Sequence, residues 1–438
     1  GRTGTVDWDT TVKTTSFTAT NGEGYFVNTT SGAVTVTLPA SPSAGNIVAI
    51  MDYANTAATN NITVGRNSSK IDGEDVDATM STNGQSFTLV YVDATEGWKT
   101  VNNASAQINT AKYITATGGT TITCGDNKIH IFTGPGTFCV SCVGNSIGSD
   151  KAEYLVVAGG GGGGGANSPG CGGRGGGGGG GWRSFTALPN SGLTPCNGGP
   201  GSSINAPVGV AVTPGAMPIP VGGVGAAGPA ATAPAGHGSR GSNSVFTTIT
   251  STGGGGGSAY PNPAPSPNNP EAPGGSGGGA YYACAMGTGN TPPVSPPQGN
   301  PASQGNPSSG GTGTGGGGAG ASPYPTALTS PIHGGLNGGV GSNIPSNFIG
   351  PTAPSYGQSP SPLAPNGRYF SGGGGGGAYS DGTSGAGGAG GGGSGNKGGT
   401  GSSGSTNTGG GGGGTGAGPY AGGTGGSGIV MIRYKFQN

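Results

Sequence analysis

Runs of consecutive glycines restrict the possible folds of this chain more than any other feature of its sequence. The longest runs are Gly159–Gly165, Gly175–Gly181, Gly253–Gly257, Gly315–Gly318, Gly372–Gly377, Gly390–Gly393 and Gly409–Gly414. A glycine run has no side chains to bury, and fixing a glycine costs more backbone entropy than fixing any other residue. Only hydrogen bonds to neighbouring backbones can order such a run. We therefore predict a bundle of extended threefold polyglycine II helices, whose N–H and C=O groups point outward to neighbours.

A collagen triple helix and phosphate-binding loops are the two competing structures that a high glycine content suggests. Collagen requires Gly at every third position with Pro between, whereas the prolines of this chain avoid the glycine runs. Patterns such as GxGxxG arise by chance among 109 glycines, and none lies in a βαβ pattern or precedes Lys-Ser/Thr. We therefore expect neither a triple helix nor a nucleotide site, and we predict no cofactor.

Sparse charge excludes several classes of function. Charged residues form 7% of the chain, with a formal net charge of zero, whereas a nucleic-acid groove needs clustered Lys and Arg. No apolar stretch reaches the roughly 18 residues of a membrane span, so we predict no membrane insertion. After Glu153 the only acidic residues are Glu271 and Asp381, although glycoside hydrolysis usually needs two carboxylates near one bond. We predict that the chain is not an enzyme.

Residues 1–105 carry the pattern of a small β domain. Ala33–Leu38 alternates between apolar and polar residues and ends at Pro39. Further β-rich runs are Asn46–Met51, Asn61–Val64 and Ser86–Val92. Short strands at this spacing predict a β-sandwich or barrel, with Trp98 in its core. We expect this domain to serve as an attachment or stalk part.

A second β region surrounds the glycine-rich part. After a polar connector at 106–112, strand patterns return within 113–158, and a strongly apolar strand closes the chain at 429–438. Because the two ends of a domain are often close together, we predict that Tyr154–Ala158 and the closing strand are neighbours in one sheet. The polyglycine II scaffold, 159–428, would then be an insertion in a β domain.

Proline-rich, aromatic segments separate the glycine runs, chiefly within 258–309 and 321–371. Proline restricts φ and stiffens irregular loops, and aromatic faces suit sugar rings, with a few polar groups fixing orientation. We predict that these loops bind a receptor. The candidate residues are Tyr281, Tyr282, Tyr324, His333 and Tyr356. The alternative is that the tyrosines pack loop bases onto the scaffold, which we expect first of Tyr379 and Tyr420 because they adjoin glycine runs.

The cysteines leave three chemical states open. The disulfide candidates are Cys124, Cys139, Cys142, Cys171 and Cys196. Free thiols are the second possibility. A zinc site with His130 is the third, but zinc sites of this type usually carry a second CxxC motif, and this chain has one, at Cys139–Cys142. We predict no metal.

Several sequence segments resemble known phage proteins. Gly24–Val27 followed by Ser31–Pro39 resembles a β module of phage tail fibres and virion structural proteins, especially those of marine cyanophages. Gly134–Phe138, Tyr154–Gly159 and Gly428–Tyr434 resemble the glycine-rich C-terminal domain of such fibres. This resemblance implies a polyglycine II scaffold with receptor-binding loops at its tip. It also implies a homotrimer located outside the cell in the virion, where other fibre or baseplate proteins would be partners.

Together these observations predict a tail-fibre adhesin that binds a host cell-surface glycan or envelope protein. The alternative function is that of a structural fibre or extracellular filament protein that binds no receptor. The position of the insertions distinguishes the two predictions, because clustering at a free tip favours an adhesin.

Overall fold

The computed structural model describes most of the chain. The described residues are 6–101, 109–146, 148–167, 172–188, 206–231, 235–259, 269–281, 285–305, 311–323, 334–359, 367–379 and 382–437. Strands form 31% of the chain and helices 3%, which confirms the predicted all-β class. None of the described helices has the length and apolarity of a membrane span. The chain divides into unit 1, Gly1–Ile114 with Val143–Asp150 and Gln437–Asn438, and unit 2, Thr115–Cys142 with Lys151–Phe436.

Unit 1 is a sandwich of two open five-stranded sheets. Its strands are β1 (Asp7–Lys13), β2 (Phe17–Thr18), β3 (Glu23–Val27), β4 (Val34–Thr37), β5 (Ile47–Asp52), β6 (Ile62–Gly65), β7 (Ala78–Met80), β8 (Ser86–Asp93), β9 (Gly97–Thr100) and β10 (Asn109–Thr110). The sheet orders are β1-β3-β5-β8-β9 and β10-β7-β6-β4-β2. Strands β1 to β6 alternate between the sheets, so the neighbouring pairs among them are parallel.

One apolar core joins the two sheets of unit 1. Val27 and Ile50 from the first sheet and Val36 and Ile62 from the second belong to one buried cluster. Trp98 is fully buried in it, as predicted. The predicted connector 106–112 lies partly outside the described residues, and its later part forms β10, which pairs with β7.

Unit 2 is built on a larger sheet. Its strands are β11 (Ile114–Thr117), β12 (Thr120–Cys124), β13 (Asn127–Phe132), β14 (Gly136–Val143), β15 (Lys151–Val157), β16 (Trp182–Phe185), β17 (Val210–Ala211), β18 (Gly215–Ile219), β19 (Ser244–Phe246), β20 (Ile249–Ser251), β21 (Ser342–Pro345), β22 (Gly367–Phe370) and β23 (Ile429–Lys435). The central order is β12-β13-β23-β15-β16. The strands that bracket the glycine-rich region, β15 and β23, are antiparallel neighbours, with Val157 opposite Ile429.

One face of this sheet is covered by other elements of unit 2. On this face, β21, helix α1 (Ser346–Ile349), a 3-10 helix (Gly350–Ser355) and β22 pack over the apolar side chains of β13, β15 and β23. Phe348 and Phe370 are fully buried there. The sequence predicts loop between glycine runs for this part of 321–371. It instead covers an apolar sheet face that would otherwise be exposed to water, which is unfavourable.

The run Gly159–Gly165, which follows β15, is hydrogen-bonded to six backbone segments. The N–H groups of this run and its two flanking alanines donate to carbonyls of segments 236–242, 420–426 and 175–181. Its carbonyls accept from N–H groups of segments 225–228, 254–257 and 412–415. Every third residue meets the same segment, since Gly159, Gly162 and Gly165 all donate to 236–242, at N···O distances of 2.9–3.0 Å. This period of three differs from the period of two of a strand.

Three further segments have the same surroundings. Each of 172–181, 371–378 and 409–415 exchanges backbone hydrogen bonds with six other segments. At the central glycines of these segments and of Gly159–Gly165 there is no room for a side chain. A Cβ atom on Gly162 would lie 1.9 Å from the carbonyl oxygen of Ala226, and one on Gly177 would lie 2.1 Å from that of Gly161. We call this array of segments, within 158–428, the glycine bundle.

The glycine bundle has two ends. Ala158 follows β15 and Gly428 precedes β23, so both lie at the sheet end. The far end is marked by the backbone bridges of Ala166 with Tyr420 and of Tyr281 with Gly313. From the hydrogen-bond register, the following described residues also lie at the far end: Asn167, Gly172, Ala259, Asn269, Ala285, Gly305, Gly311, Gly334, Tyr379 and Gly382.

Candidate functional site

Tyr281 lies at the far end of the glycine bundle but is buried. The Arg174 guanidinium lies over its ring, with Cζ 5.1 Å from the ring centroid. Arg174 has no exposed surface and donates from Nη1 to the carbonyl of Gly172. Only 6% of Tyr281 is exposed, so in this conformation the ring packs against the scaffold and presents no open face to a ligand.

Tyr356 lies at the sheet end, beyond the 3-10 helix. Its half-buried ring packs against the apolar cluster that covers the sheet. Arg368 on β22 holds the surrounding backbone, donating to the carbonyls of Tyr356 at 2.8 Å and Gly357 at 2.6 Å. Burial lowers the pKa of this guanidinium from its ordinary value. Tyr281 and Tyr356 are therefore at opposite ends of unit 2 and do not form one site.

The remaining predicted residues cannot be placed. Tyr282, Tyr324 and His333 lie outside the described residues, as do Cys171 and Cys196.

Two tyrosines at the far end are partly accessible. Tyr379 and Tyr420 are both half-buried. The Tyr420 ring covers Gly418, where a Cβ would approach ring atoms to 2.5 Å. Both residues follow glycine-rich segments in the sequence. Lys397, in the far-end turn 396–400, adds an exposed ammonium group.

His237 lies at another part of the far end of the glycine bundle, where it binds the backbone of Ala259. Its Nδ1 accepts the N–H of Ala259 at 3.0 Å, and burial lowers the pKa of its imidazole from the ordinary value. The ring is thus held neutral and acts as a backbone acceptor beside the connection that follows Ala259. The neighbouring residues in the sequence carry no pattern that predicts this role.

The three described cysteines are free thiols. Cys124 and Cys142 are half-buried and Cys139 is exposed, so no disulfide links any of them in this structure. Within the described part of the chain, no three His, Cys, Asp or Glu side chains group in a way that could hold a metal ion.

His130 is unavailable as a zinc ligand. Its Nδ1 lies 2.7 Å from the carbonyl oxygen of Gly118, so Nδ1 carries the proton and donates. Its Nε2 then accepts from the Tyr434 hydroxyl at 2.9 Å. Phe138 meets the same imidazole edge-on, at 5.0 Å between centroids. Burial lowers the pKa of His130, and the nearby charge of Lys128 lowers it slightly further. The ring is fully buried and is part of the core next to the sheet.

Comparison with curated proteins finds no match to this chain. A family model described as a glycine-rich domain matches residues 133–435. The matched region begins just before β14 and ends with β23, so it contains the glycine bundle and most of the sheet that anchors it. Because the match covers more than half of the chain, the protein belongs to this glycine-rich domain family.

Proposed function

We propose that this protein is an adhesin module of a phage tail fibre, similar to those of marine cyanophages. It binds a host cell-surface glycan or envelope protein through the far end of the glycine bundle. The observation that carries the proposal is the position of the connections at 260–268, 282–284 and 306–310. Described residues on both sides of each of these three connections lie at the far end, whereas the proline-rich connection 289–299 lies at the sheet end beside Trp182 and Arg183. Loops held at one end of a rigid scaffold are typical of binding modules.

The scaffold in this proposal is a polyglycine II bundle. Its support is the three-residue hydrogen-bond period and the six bonded neighbours of the inner segments. A scaffold of this kind is held by backbone hydrogen bonds, so the residues of the connecting turns can vary without disturbing a side-chain core. Connections whose flanking residues are held by the scaffold lose less conformational freedom on binding than free loops do, which favours affinity.

Sugar recognition fits the composition of the far end. Its described accessible groups include the phenols of Tyr379 and Tyr420, with a single ammonium at Lys397. The predicted residues Tyr282 and His333, which adjoin Tyr281 and Gly334 in the sequence, would add aromatic and polar groups. Tyr324 instead follows 319–321, which lies at the sheet end. Neutral aromatic surfaces with few charges suit glycans or polar protein loops more than anionic polymers.

Adsorption of the purified chain to cells tests this proposal. The double variant Tyr282→Ala, His333→Ala should lose at least tenfold of its binding to envelope fractions of marine cyanobacteria, with an unchanged melting temperature. Val208→Ala, an exposed apolar position near β17 at the sheet end, is the matched control and should bind normally. Unchanged adsorption of the double variant would refute this placement of the site. A wild-type chain that adsorbs to no envelope fraction would favour the structural-fibre alternative.

A further inference from the structure

Three aromatic side chains form a strip on the outer face of unit 1. In β3 and β5, alternate residues such as Tyr25 and Ile50 point into the core between the sheets. Phe26 and Tyr53 have the opposite parity and lie on the outer face, and Trp8 stacks with Phe26 there. We call Trp8, Phe26 and Tyr53 the aromatic strip. It crosses β1, β3 and the end of β5, which is about 10 Å at the usual strand spacing.

Trp8 lies flat on the sheet because its partner in the register is a glycine. Gly24 is the cross-strand partner of Trp8, and a Cβ atom there would lie 2.8 Å from indole atoms Cδ2 and Cε3. Any other residue would lift the ring off the backbone. One indole face is therefore against the strand, while 41% of the residue remains exposed to solvent.

The other two rings continue this surface. Phe26 stacks with Trp8 at a centroid distance of 4.8 Å and an interplanar angle of 30°. Tyr53 meets Phe26 edge-on at 6.4 Å and is 55% exposed. Hydroxyl side chains border the strip on the same face, since Ser86 pairs with Met51 and Thr88 with Ala49 in the β5–β8 register. The surface thus combines open aromatic faces with neutral hydrogen-bonding groups.

The size of the aromatic strip favours a small ligand over a second copy of the chain. Fully buried aromatic side chains each remove roughly 150–250 Å² from water. At the exposures of Trp8 and Tyr53, the strip offers on the order of 200–300 Å². A stable protein interface needs about 800 Å² on each partner. Three rings cannot supply that area, but they match a short stretch of a saccharide chain.

We propose that the aromatic strip binds a neutral saccharide chain built from pyranose rings of gluco or galacto configuration. One face of such a ring presents C–H groups, whose partial positive charge is attracted to the negative face of an aromatic ring. The hydroxyls of the sugar remain at the edge, where Ser86, Thr88 and the Tyr53 phenol can exchange hydrogen bonds with them. This site is in unit 1 and is independent of the far end of the glycine bundle.

Tryptophan fluorescence gives a specific signal for this site. All three tryptophans are described residues, and Trp98 and Trp182 are only 0% and 1% exposed. Acrylamide should therefore quench chiefly Trp8 in the full chain. The probes are three soluble neutral polysaccharides: hydroxyethyl cellulose, laminarin and galactomannan. At least one should retard the chain in affinity electrophoresis, protect Trp8 from acrylamide and shift its emission to shorter wavelength.

Matched variants separate ring stacking from general apolarity. Trp8→Phe keeps an aromatic face and should retain retardation while losing the fluorescence response. Trp8→Leu and Tyr53→Ala should each weaken binding about tenfold. Val92→Ala removes an exposed apolar residue from β8 and should bind as the wild type does.

Three results would overturn the proposal. The first is the absence of both retardation and protection with all three polysaccharides. The second is wild-type binding by Trp8→Leu. The third is protection of Trp8 that grows with protein concentration alone and persists in Thr10→Pro, which blocks pairing at the edge of β1, because a second copy would then occupy the strip. Loss of cell adsorption in far-end variants would not affect any of these outcomes.

Discussion

At the scale of single residues, the absence of a Cβ determines which glycines are indispensable. Gly162, inside the glycine bundle, would place a Cβ 1.9 Å from a backbone carbonyl oxygen, whereas at Gly223 the nearest atom is 3.9 Å away. We predict that Gly162→Ala lowers the free energy of unfolding by about 1–3 kcal/mol or more, because backbones must separate. Gly162→Val should be worse.

The control for this prediction is Gly223→Ala. Alanine there restricts the unfolded chain and meets no obstacle, so stability should change little or rise by about 0.4–1 kcal/mol. Urea unfolding followed by circular dichroism measures both variants. Equal effects of the two substitutions would contradict the close packing of the backbones.

A second prediction at this scale concerns pH. The folded-state pKa of His130 is lowered by burial, so below the ordinary value of about 6.5 the unfolded chain takes up the proton first. The free energy of unfolding should therefore fall as pH decreases from 6.5 toward the folded pKa, by at most about 1.4 kcal/mol per pH unit for one proton. Protonation of Nε2 also removes the acceptor for Tyr434, whose own pKa burial raises to about 12.

Urea unfolding at pH 8.0, 6.5 and 5.5 measures this dependence. The buried His237 contributes with the same sign, because its folded pKa is also lowered. His130→Gln should have a shallower decrease than the wild type, and the double variant with His237→Gln a shallower one still. A decrease of the same steepness in all three proteins would show that other groups cause it.

At the scale of elements, β15 and β23 hold the first and the last segment of the glycine bundle together at its sheet end. Glu153 and Arg433 are direct cross-strand partners with Oε2 and Nη1 2.8 Å apart, and both side chains are largely buried. Thr186 donates a further hydrogen bond to Glu153 at 2.8 Å. Arg433→Met leaves a buried carboxylate without its cation, so we predict a loss of about 3 kcal/mol in unfolding free energy.

The double variant Glu153→Leu, Arg433→Met provides the control. Removing both charges avoids the unpaired carboxylate, so the double variant should be more stable than Arg433→Met alone. Denaturant melts of the three proteins give the coupling. A double variant less stable than the single one would contradict this account.

The sequence predicted these two strands because the apolar runs Tyr154–Ala158 and Ile429–Ile432 directly adjoin glycine-rich segments. It did not predict that 342–355 and 367–370 cover the sheet, since prolines break the apolar spacing from Ile344 to Phe370 and no period remains. The parallel pairing of β1 to β6 was also not predicted. Alternating residues mark a strand, but pairing direction depends on whether successive strands return to the same sheet, which local patterns do not contain.

At the scale of the whole molecule, the glycine runs indicated that backbones would hydrogen-bond to one another, as they do in the glycine bundle, whereas the receptor-binding loops stay a prediction. The described residues that flank 260–268, 282–284 and 306–310 lie at the far end, whereas the proline-rich connection 289–299 lies at the sheet end. The tyrosines were less predictable. Tyr281 is buried because its ring packs against the guanidinium of Arg174, a buried charge on the neighbouring segment. The aromatic strip was not predictable because its three rings are distant in sequence, and only the parallel register brings Trp8 over Gly24.

We expect the protein to form a homotrimer that assembles through unit 1. The sandwich is open, and its first sheet ends at β1 and β9. Strand β1 has seven residues, so one of its sides can pair with another chain, whereas the two-residue edge strands β2 and β10 are too short to do so. Multi-angle light scattering should give three times the monomer mass of 41.0 kDa. A Pro substitution at Thr10, which removes an N–H from β1, should shift the mass toward the monomer. A stable wild-type monomer would contradict the trimer without affecting the proposed adhesin function.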